Sequence, residues 1–430
     1  MKGIDWYHEF VDLKYKPSKT DLVCLFRFEP FNMSRAEAAG RIASESSAGT
    51  WTTLAKLPDK IESVKAKSFE ISGKFLKVAY PIDLWEPGNV PQLLSGIAGN
   101  IFGMKALKNL RLIDVSLPSS YLCYFKGPKF GIDGIRKLLK VRKRPITGAV
   151  AKPKIGWSAE EHAKIAYETW LGGFDLVKDD ENLTSTQFNK FEKRVKLCSA
   201  MRDRAEKETG ERKSALINIT GETRQMISRA RLLREFGFEY AMIDVVTSGF
   251  SSLQTMRDVC HDYKLAIHAH RAMHAAFDRN PRHGISMLML AKICRMIGVD
   301  QLHVGTVVGK LVGSRTEVLD IRDEVTKPVV SGKGFSVLPQ DWAKIRPVFP
   351  VSSGGLHPGI IPQVLEIMGN DTVLLISGGI HGHPFGTRQG ATAAMQAIEA
   401  TMNGISLGEY SRTRKELRAA LDKWGHIRPQ

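Results

Sequence analysis

From residue 146 onward, short apolar runs alternate with longer amphipathic stretches. The runs are "ITGAVAK" (146–152), "FDLVKDD" (174–180), "SALINIT" (214–220), "YAMIDVV" (240–246), "LAIHAHR" (265–271), "LHVGTVV" (302–308), "VFPVSS" (348–353) and "TVLLISGG" (372–379). Between them lie segments such as "SAEEHAKIAYETWL", "RQMISRARLLREF" and "ISMLMLAKICRMIG", whose apolar positions recur at helical spacing. Strand followed by helix, repeated eight times, predicts a closed parallel TIM (β/α)8 barrel rather than an open sheet. In that fold the chemistry sits at the C-terminal ends of the strands.

The first part of the chain reads differently. "LVCLFRF" (22–28) predicts a strand, and "SRAEAAGRIASES" a helix with Ser34 and Glu37 spaced as a capping box. "SVKAKSFEI" and "KFLKVAYPI" predict a hairpin turning at Ser72-Gly73, "VPQLLSGIAGNIFG" a second helix and "LRLIDVSL" a last strand. That order is the split α+β pattern of ferredoxin-like domains. The α/β chain is thus expected to hold a ferredoxin-like domain over 1–130. A catalytic barrel with a C-terminal helical extension is expected over 131–430.

Composition changes this picture little. With 43% hydrophobic and 25% charged residues the profile is ordinary for a globular protein. No apolar stretch reaches the roughly 18 residues of a membrane span, and the first 21 residues hold no uninterrupted apolar core of a signal peptide. Five scattered cysteines without CxxC spacing read as reduced core thiols, so a cytoplasmic location and no membrane partner are expected. The net charge of +17 invites a nucleic-acid reading, and "RKLLKVRKRP" (136–145) is its densest run. That run looks like a helix with Ile135, Leu138, Leu139 and Val141 partly on one side. No zinc-finger spacing, heptad or aromatic RNA-binding signature accompanies it, so nucleic acid is not expected as a partner. A basic surface equally steers a small anionic substrate.

The strand ends carry the candidate chemistry. The first barrel strand ends in Lys152 and Lys154, and the second in Lys178, Asp179, Asp180 and Glu181. The fifth gives His268, His270, Arg271 and His274. The sixth holds His303 and runs into Lys310, framed by Gly305, Gly309 and Gly313. The seventh and eighth end in Ser353-Gly354-Gly355 and Ser377-Gly378-Gly379. Singly, each has a bland reading: a surface charge, a satisfied core histidine, a turn. Together they line one mouth. Gly-rich turns after strands seven and eight expose backbone N–H groups, a recurrent phosphate site in barrels. Arg271 and His303 offer a second anion site, which suggests a substrate with a phosphate at each end. Asp180 and Glu181 are hard oxygen ligands suited to Mg²⁺. Lysine as an ammonium ligates no metal, but a neutral amine that captures CO₂ becomes a carbamate with oxygens to offer. On that reading Lys178 is the third acid; otherwise the cluster is a surface salt bridge.

At this point the chain resembles the large chain of ribulose-1,5-bisphosphate carboxylase/oxygenase (RuBisCO) over nearly its full length. "GGFDLVKDDEN", "AKPKIG", "HAHRAMHA", "GTVVGKLVG", "SSGGLHPG" and "SGGIHGHPFG" are similar to the family's strand-end motifs, in the family's order. "ESSAGTWTT" and "GNIFGMKAL" resemble its two N-terminal active-site segments. The resemblance implies a lyase that adds CO₂ to ribulose 1,5-bisphosphate to give two 3-phosphoglycerates, with competing oxygenation by O₂. Lys178 would be the carbamylated lysine, binding Mg²⁺ with Asp180 and Glu181. Lys152 would move protons at the enediolate and product stages with Lys154 beside it, and His270 would assist around the hydrated intermediate. Lys310 would hold the incoming CO₂, positioned by Glu45. Arg271, His303 and Ser353 would grip one end of the substrate. Thr50, Trp51, Gly355, Gly378 and Gly379, with the adjoining Gly354 and Ser377, would surround the other phosphate. Glu45, Thr50 and Asn100 would reach the barrel of a second copy, making a homodimer with shared sites that could assemble into larger rings of dimers.

Two positions depart from plant members, which have threonine at Val150 and a third glycine at Ser377. The 430-residue length and compact ends are more similar to the archaeal-type form III enzymes, which work without small subunits. That likeness would suggest nucleotide (AMP) salvage as the pathway. The competing expectation is a RuBisCO-like enolase or isomerase of a related sugar phosphate, whose relatives typically lose catalytic positions that this chain keeps.

Overall fold

The computed structural model describes residues 5–50, 52, 58–308 and 314–425. The chain divides into two compact units. One comprises Met1–Gly127, Met273–Met296 and Lys327–Arg346, the other Pro128–Ala272, Ile297–Thr326 and Pro347–Gln430.

The first unit is built on strands β1 (Leu22–Pro30), β2 (Lys67–Ser72), β3 (Phe75–Tyr80) and β4 (Leu107–Ser116). They lie in the order β4-β1-β3-β2, every neighbour antiparallel, with the two-residue strand Gly284–Ile285 added beside β4. That is the ferredoxin-like order the pattern predicts. The β2–β3 turn falls at Gly73, whose φ of +56° suits glycine. Ser34 caps the Arg35–Glu45 helix by accepting from the Glu37 N–H, but the Glu37 carboxylate turns to Arg41. The second predicted helix is shorter than its apolar pattern. It runs Val90–Ala98, breaks at Gly99 and continues as a 3-10 turn over Asn100–Gly103.

The second unit is an eight-stranded parallel barrel. Its strands are β5 (Ile146–Val150), β6 (Leu176–Lys178), β7 (Ser214–Leu216), β8 (Tyr240–Asp244), β9 (Ala266–His270), β10 (Gln301–Gly305), β11 (Phe349–Ser353) and β12 (Val373–Leu375). They pair in the order β7-β6-β5-β12-β11-β10-β9-β8. An Asn218–Met242 bridge joins β7 to β8, where Met242 N–H donates to Ile217 O and Ile219 N–H to Met242 O at 3.0 Å each. Inward residues of these strands, among them Ile146, Leu176, Leu216, Met242, Val351 and Val373, form the core with Ile135 and Leu139 of the Gly131–Leu139 helix. Each such aliphatic side chain contributes about 1.5–3 kcal/mol by leaving water. Buried Asp300 fixes that helix, its Oδ1 accepting from the N–H groups of Phe130 and Gly131 and its Oδ2 from Ile267.

The basic run is helical only in part. Lys140 takes a left-handed φ of +58° and ends the helix, so Val141–Pro145 form a connection into β5 rather than a further turn. Four of the five cysteines are buried as expected; Cys123 is exposed and is no core thiol. Among the described residues no helix is long and apolar enough to cross a membrane.

Candidate active site

The second barrel strand ends at Lys178, and Asp179, Asp180 and Glu181 follow it in the connection, where the charged cluster splits. Asp179 is buried among side chains of the neighbouring helices. Its Oδ2 takes 3.0 Å hydrogen bonds from Arg194 Nε and Asn218 N–H, and its Oδ1 lies 3.2 Å from His162 Nε2. Lys178, Asp180 and Glu181 are left for the mouth. Asn218 holds the peptide there, its Nδ2 donating to the carbonyls of Asp180 and Glu181 at 3.3 and 3.2 Å.

Lys178 is almost fully enclosed, 1% exposed, with Nζ donating to the Asp179 carbonyl at 2.9 Å. Burial pushes its ammonium below the usual lysine range, against the opposing pull of Glu181, Asp244, Asp180 and Asp179. The chain bends after β5, and both lysines of "KPK" turn to the acids: Lys152 Nζ lies 3.6 Å from Asp180 Oδ2 and Lys154 Nζ 4.0 Å from Glu181 Oε1. Burial disfavours the Glu181 carboxylate, but its backbone N–H, His270, Lys178 and Lys154 outweigh this and hold the group below its ordinary value.

His270 ends β9. Its Nδ1 lies 3.0 Å from Asp244 Oδ1 and its Nε2 3.8 Å from Glu181 Oε2. Burial and the Lys178 charge keep its imidazole below the usual range, against the pull of Asp244. Beside it His268, His303 and Ser353 stand in line: His268 Nε2 is 3.0 Å from His303 Nε2, and His303 Nδ1 is 3.0 Å from Ser353 Oγ. Burial pushes both imidazoles well below their ordinary value. The buried guanidinium of Arg271 passes so close to Gly305 that an added Cβ would sit 3.2 Å from it; Gly305 also has a φ of +115°. Glycine is needed there.

Gly354 and Gly355 have φ of +111° and +77°, and Gly379 has no room for a Cβ, which would meet Leu356 O at 2.4 Å. Gly378 and Gly379 open a single helical turn, Gly378–His381, whose first N–H groups lack intrahelical acceptors. The two positions that depart from the plant pattern touch: the Val150 N–H donates to Ser377 Oγ at 3.0 Å.

The barrel unit thus brings together Lys152, Lys154, Lys178, Asp180, Glu181, His270, Arg271, His303 and Ser353, with the glycine turns at the same strand ends. His274 belongs to the first unit, where it pairs with Asp278 at 2.8 Å. Glu45 and Asn100 also lie in the first unit, Asn100 Nδ2 standing 3.5 Å from Glu45 Oε1, and Thr50 follows five residues beyond the helix that ends at Glu45. Trp51 and Lys310 lie outside the described residues. Three supporting residues escape a reading by strand-end motif. Asp244 has the clearest signal, an acid closing an otherwise apolar strand; Asn218 and Gln301 look like ordinary polar residues. Among the described residues no three His, Cys, Asp or Glu side chains converge at metal-ligand spacing. A groove of about 830 Å³ lies at the opposite, N-terminal end of the barrel, between Leu139–Arg144, Gly210–Arg212 and Met395–Asn403, and contains none of these groups.

Comparison with known proteins points to one family. Residues 131–424 match the family model of the ribulose bisphosphate carboxylase large chain, catalytic domain, and residues 9–121 that of its N-terminal domain. A ribulose bisphosphate carboxylase of Pyrococcus abyssi is 53% identical over 431 residues, covering 99% of both chains. The dimeric archaeal Rubisco of Hyperthermus butylicus superposes with a TM-score of 0.94 at 48% identity, over 98% of this chain and 100% of that one. The octameric enzyme of Pyrococcus horikoshii, solved with sulfate, gives 0.91 at 53%, over 98% and 97%. With both domains matched in order and about half the residues identical to archaeal relatives end to end, the chain belongs to the ribulose bisphosphate carboxylase large-chain family.

Proposed function

We propose that this chain carboxylates ribulose 1,5-bisphosphate to two molecules of 3-phosphoglycerate, with O₂ as a competing substrate. The observation that carries the reading is the enclosed Lys178 beside Asp180 and Glu181. Burial favours its neutral amine, which adds CO₂ and releases a proton to give a carbamate. That group supplies the acidic ligand missing from the cluster, and the three would then hold Mg²⁺. When bound, the ion polarises the sugar's carbonyl and hydroxyl oxygens and stabilises charge on them.

The side chains then divide the remaining work. Lys152, close to Asp180, is placed to move a proton at the sugar carbons. His270, oriented by Asp244, offers Nε2 for proton movement on the other side. Arg271 supplies charge for one phosphate, with His303 and Ser353 beside it. The amides of Gly355, Gly378 and Gly379 suit the other, with Gly354 and Ser377 shaping their turns. Lys154 adds positive charge near Glu181. Lys310 meets the carboxylate that forms on CO₂ addition. Glu45, Thr50 and Asn100 complete the site of a second copy, and Trp51 joins the phosphate grip, so the working unit is a homodimer, with no small subunit. The dimeric and octameric relatives support that assembly. A role in nucleotide salvage in the cytoplasm fits the archaeal likeness. The retained lysines and the relatives' carboxylase names favour this over a pure enolase or isomerase.

The test is incorporation of labelled CO₂ with ribulose 1,5-bisphosphate after incubation with CO₂ and Mg²⁺. Labelled 3-phosphoglycerate is the expected product; an isomerised sugar phosphate without label would refute the reading.

A further inference from the structure

The basic run at 136–145 has no part in the site at the mouth, and the fold fixes it at the other end of the barrel. Lys140 turns the chain out of its helix at a φ of +58°, and the connection that follows is pinned through its own backbone. Arg136 Nη1 donates to the carbonyls of Val141 and Arg144 at 3.0 Å each, and Arg144 grips Asp175 with two bonds of 2.7 and 2.6 Å. Leu139 and Val141 are buried and anchor the segment. Lys140, Arg142 and Lys143 stay exposed and, among the described residues, take part in no ion pair. Three like charges within four residues repel one another, yet this loop is held in place without an answering carboxylate among the described residues.

The three cations line the groove of about 830 Å³ at the N-terminal end of the barrel, a volume suited to a small organic ligand. Two acids of the groove are already engaged, Asp175 by Arg144 and Glu211 by Lys213 Nζ at 2.6 Å. Another wall is one stripe of the Thr387–Met402 helix: Met395, Ile398, Glu399 and Met402 recur at spacings of three and four, with Asn403 at the helix end. Methionine sulfur packs favourably against a flat aromatic ring. Glu399 can accept, and Asn403 can both donate and accept, at the edge of such a ring. An acyl chain would bury those two polar groups unsatisfied, and an inorganic polyphosphate would gain nothing from the methionines. We infer that this groove binds a nucleoside diphosphate whose base carries an amino group. The base lies on Met395, Ile398 and Met402, its amino group donates to Glu399, and the phosphates meet Lys140, Arg142 and Lys143. None of these residues belongs to the proposed carboxylation site, so the inference goes beyond that reading and stands without it.

Equilibrium dialysis of the full chain against labelled ADP tests it. ADP should be retained, and Arg142→Glu combined with Lys143→Glu should lower its affinity at least about tenfold, because charge-assisted contacts to the phosphates are replaced by repulsion. Met402→Ser leaves the cations in place and should weaken ADP severalfold without changing the binding of inorganic pyrophosphate. IDP, whose base carries an oxygen in place of the amino group, should bind more weakly than ADP to the wild type and no more weakly than ADP to Glu399→Ala. All four positions are on the surface of the groove, and thermal unfolding verifies that each variant is folded. No retention of ADP, retention unchanged in the double variant, competition by pyrophosphate as strong as that by unlabelled ADP, or equal wild-type affinity for ADP and IDP would overturn the inference. ADP held at the barrel mouth would be lost in Arg271→Ala and kept in the double variant, which would overturn it as well. No arm reads CO₂ fixation, so a chain that fails to carboxylate removes the proposed function and leaves this result to judge the groove.

Discussion

Asp179 carries no proposed catalytic role, yet its replacement should be among the most damaging changes in the barrel. Arg194 is fully buried, and Asp179 is its carboxylate partner, with Asn189 and the Thr184 carbonyl taking other N–H groups. Asp179→Ala leaves a guanidinium without its counter-charge in the interior, a change that costs about 3–5 kcal/mol. It also strips the Asn218 N–H of its acceptor. At roughly 2–4 °C per kcal/mol for a domain of 150–250 residues, the expected fall in Tm is on the order of 10 °C by calorimetry. Asp179→Asn keeps an acceptor for Asn218 and should lose less. Adding Arg194→Leu to Asp179→Ala should recover part of the loss, because the uncompensated charge is gone. Burial opposes ionisation of Asp179, but Arg194 and His162 outweigh it and hold the carboxyl below its ordinary value. The stabilisation is therefore complete at neutral pH and lost only as pH falls below about 4 through the folded-state value. A fall in Tm of under about 2 °C for Asp179→Ala, the range of a surface substitution, would refute this reasoning.

His381 is pushed down to about 4 by burial, with the charge of Lys152 adding to the effect and a Val150 backbone contact opposing it. Its neutral form is stabilising above the unfolded value of 6.5, and about 3 kcal/mol is lost as pH falls from there to 4; His381→Gln should flatten that part of the stability–pH curve measured by urea unfolding. Lys310→Ala should still exchange the substrate's C3 proton with solvent but lose carboxylation by several orders of magnitude, because its charge is needed only once CO₂ has added. Near-normal carboxylation would remove Lys310 from the mechanism. Mixing inactive Asn100→Ala and Lys152→Ala chains should restore some CO₂ fixation through heterodimers; no recovery after verified subunit exchange would place each site within one chain.

The barrel was legible because its strands are apolar runs ending in chemistry-bearing residues, whereas the turning of Asp179 away from Lys178 and Asp180 depends on Arg194 and Asn218, distant in sequence. The ferredoxin-like order followed from the same kind of apolar runs and the Gly73 turn. Less legible was anything set by a residue distant in sequence. Lys140 adopts a left-handed conformation that no local pattern demands, so the basic run was read as helix beyond its real end. Gln301 looks like one more polar residue in "VDQLHVG", and its meaning lies in His268, 33 residues earlier. Asn218 is similarly plain until its amide is seen holding the carbonyls of Asp180 and Glu181.

The most direct test of the account is the initial rate of labelled CO₂ fixation on ribulose 1,5-bisphosphate, with and without prior incubation in CO₂ and Mg²⁺, for the wild-type chain and Lys178→Arg. The guanidinium is always protonated and captures no CO₂. The account predicts a slow rise to full activity in the wild type only when both are supplied, and no activation in the variant. Full activity in Lys178→Arg would contradict it.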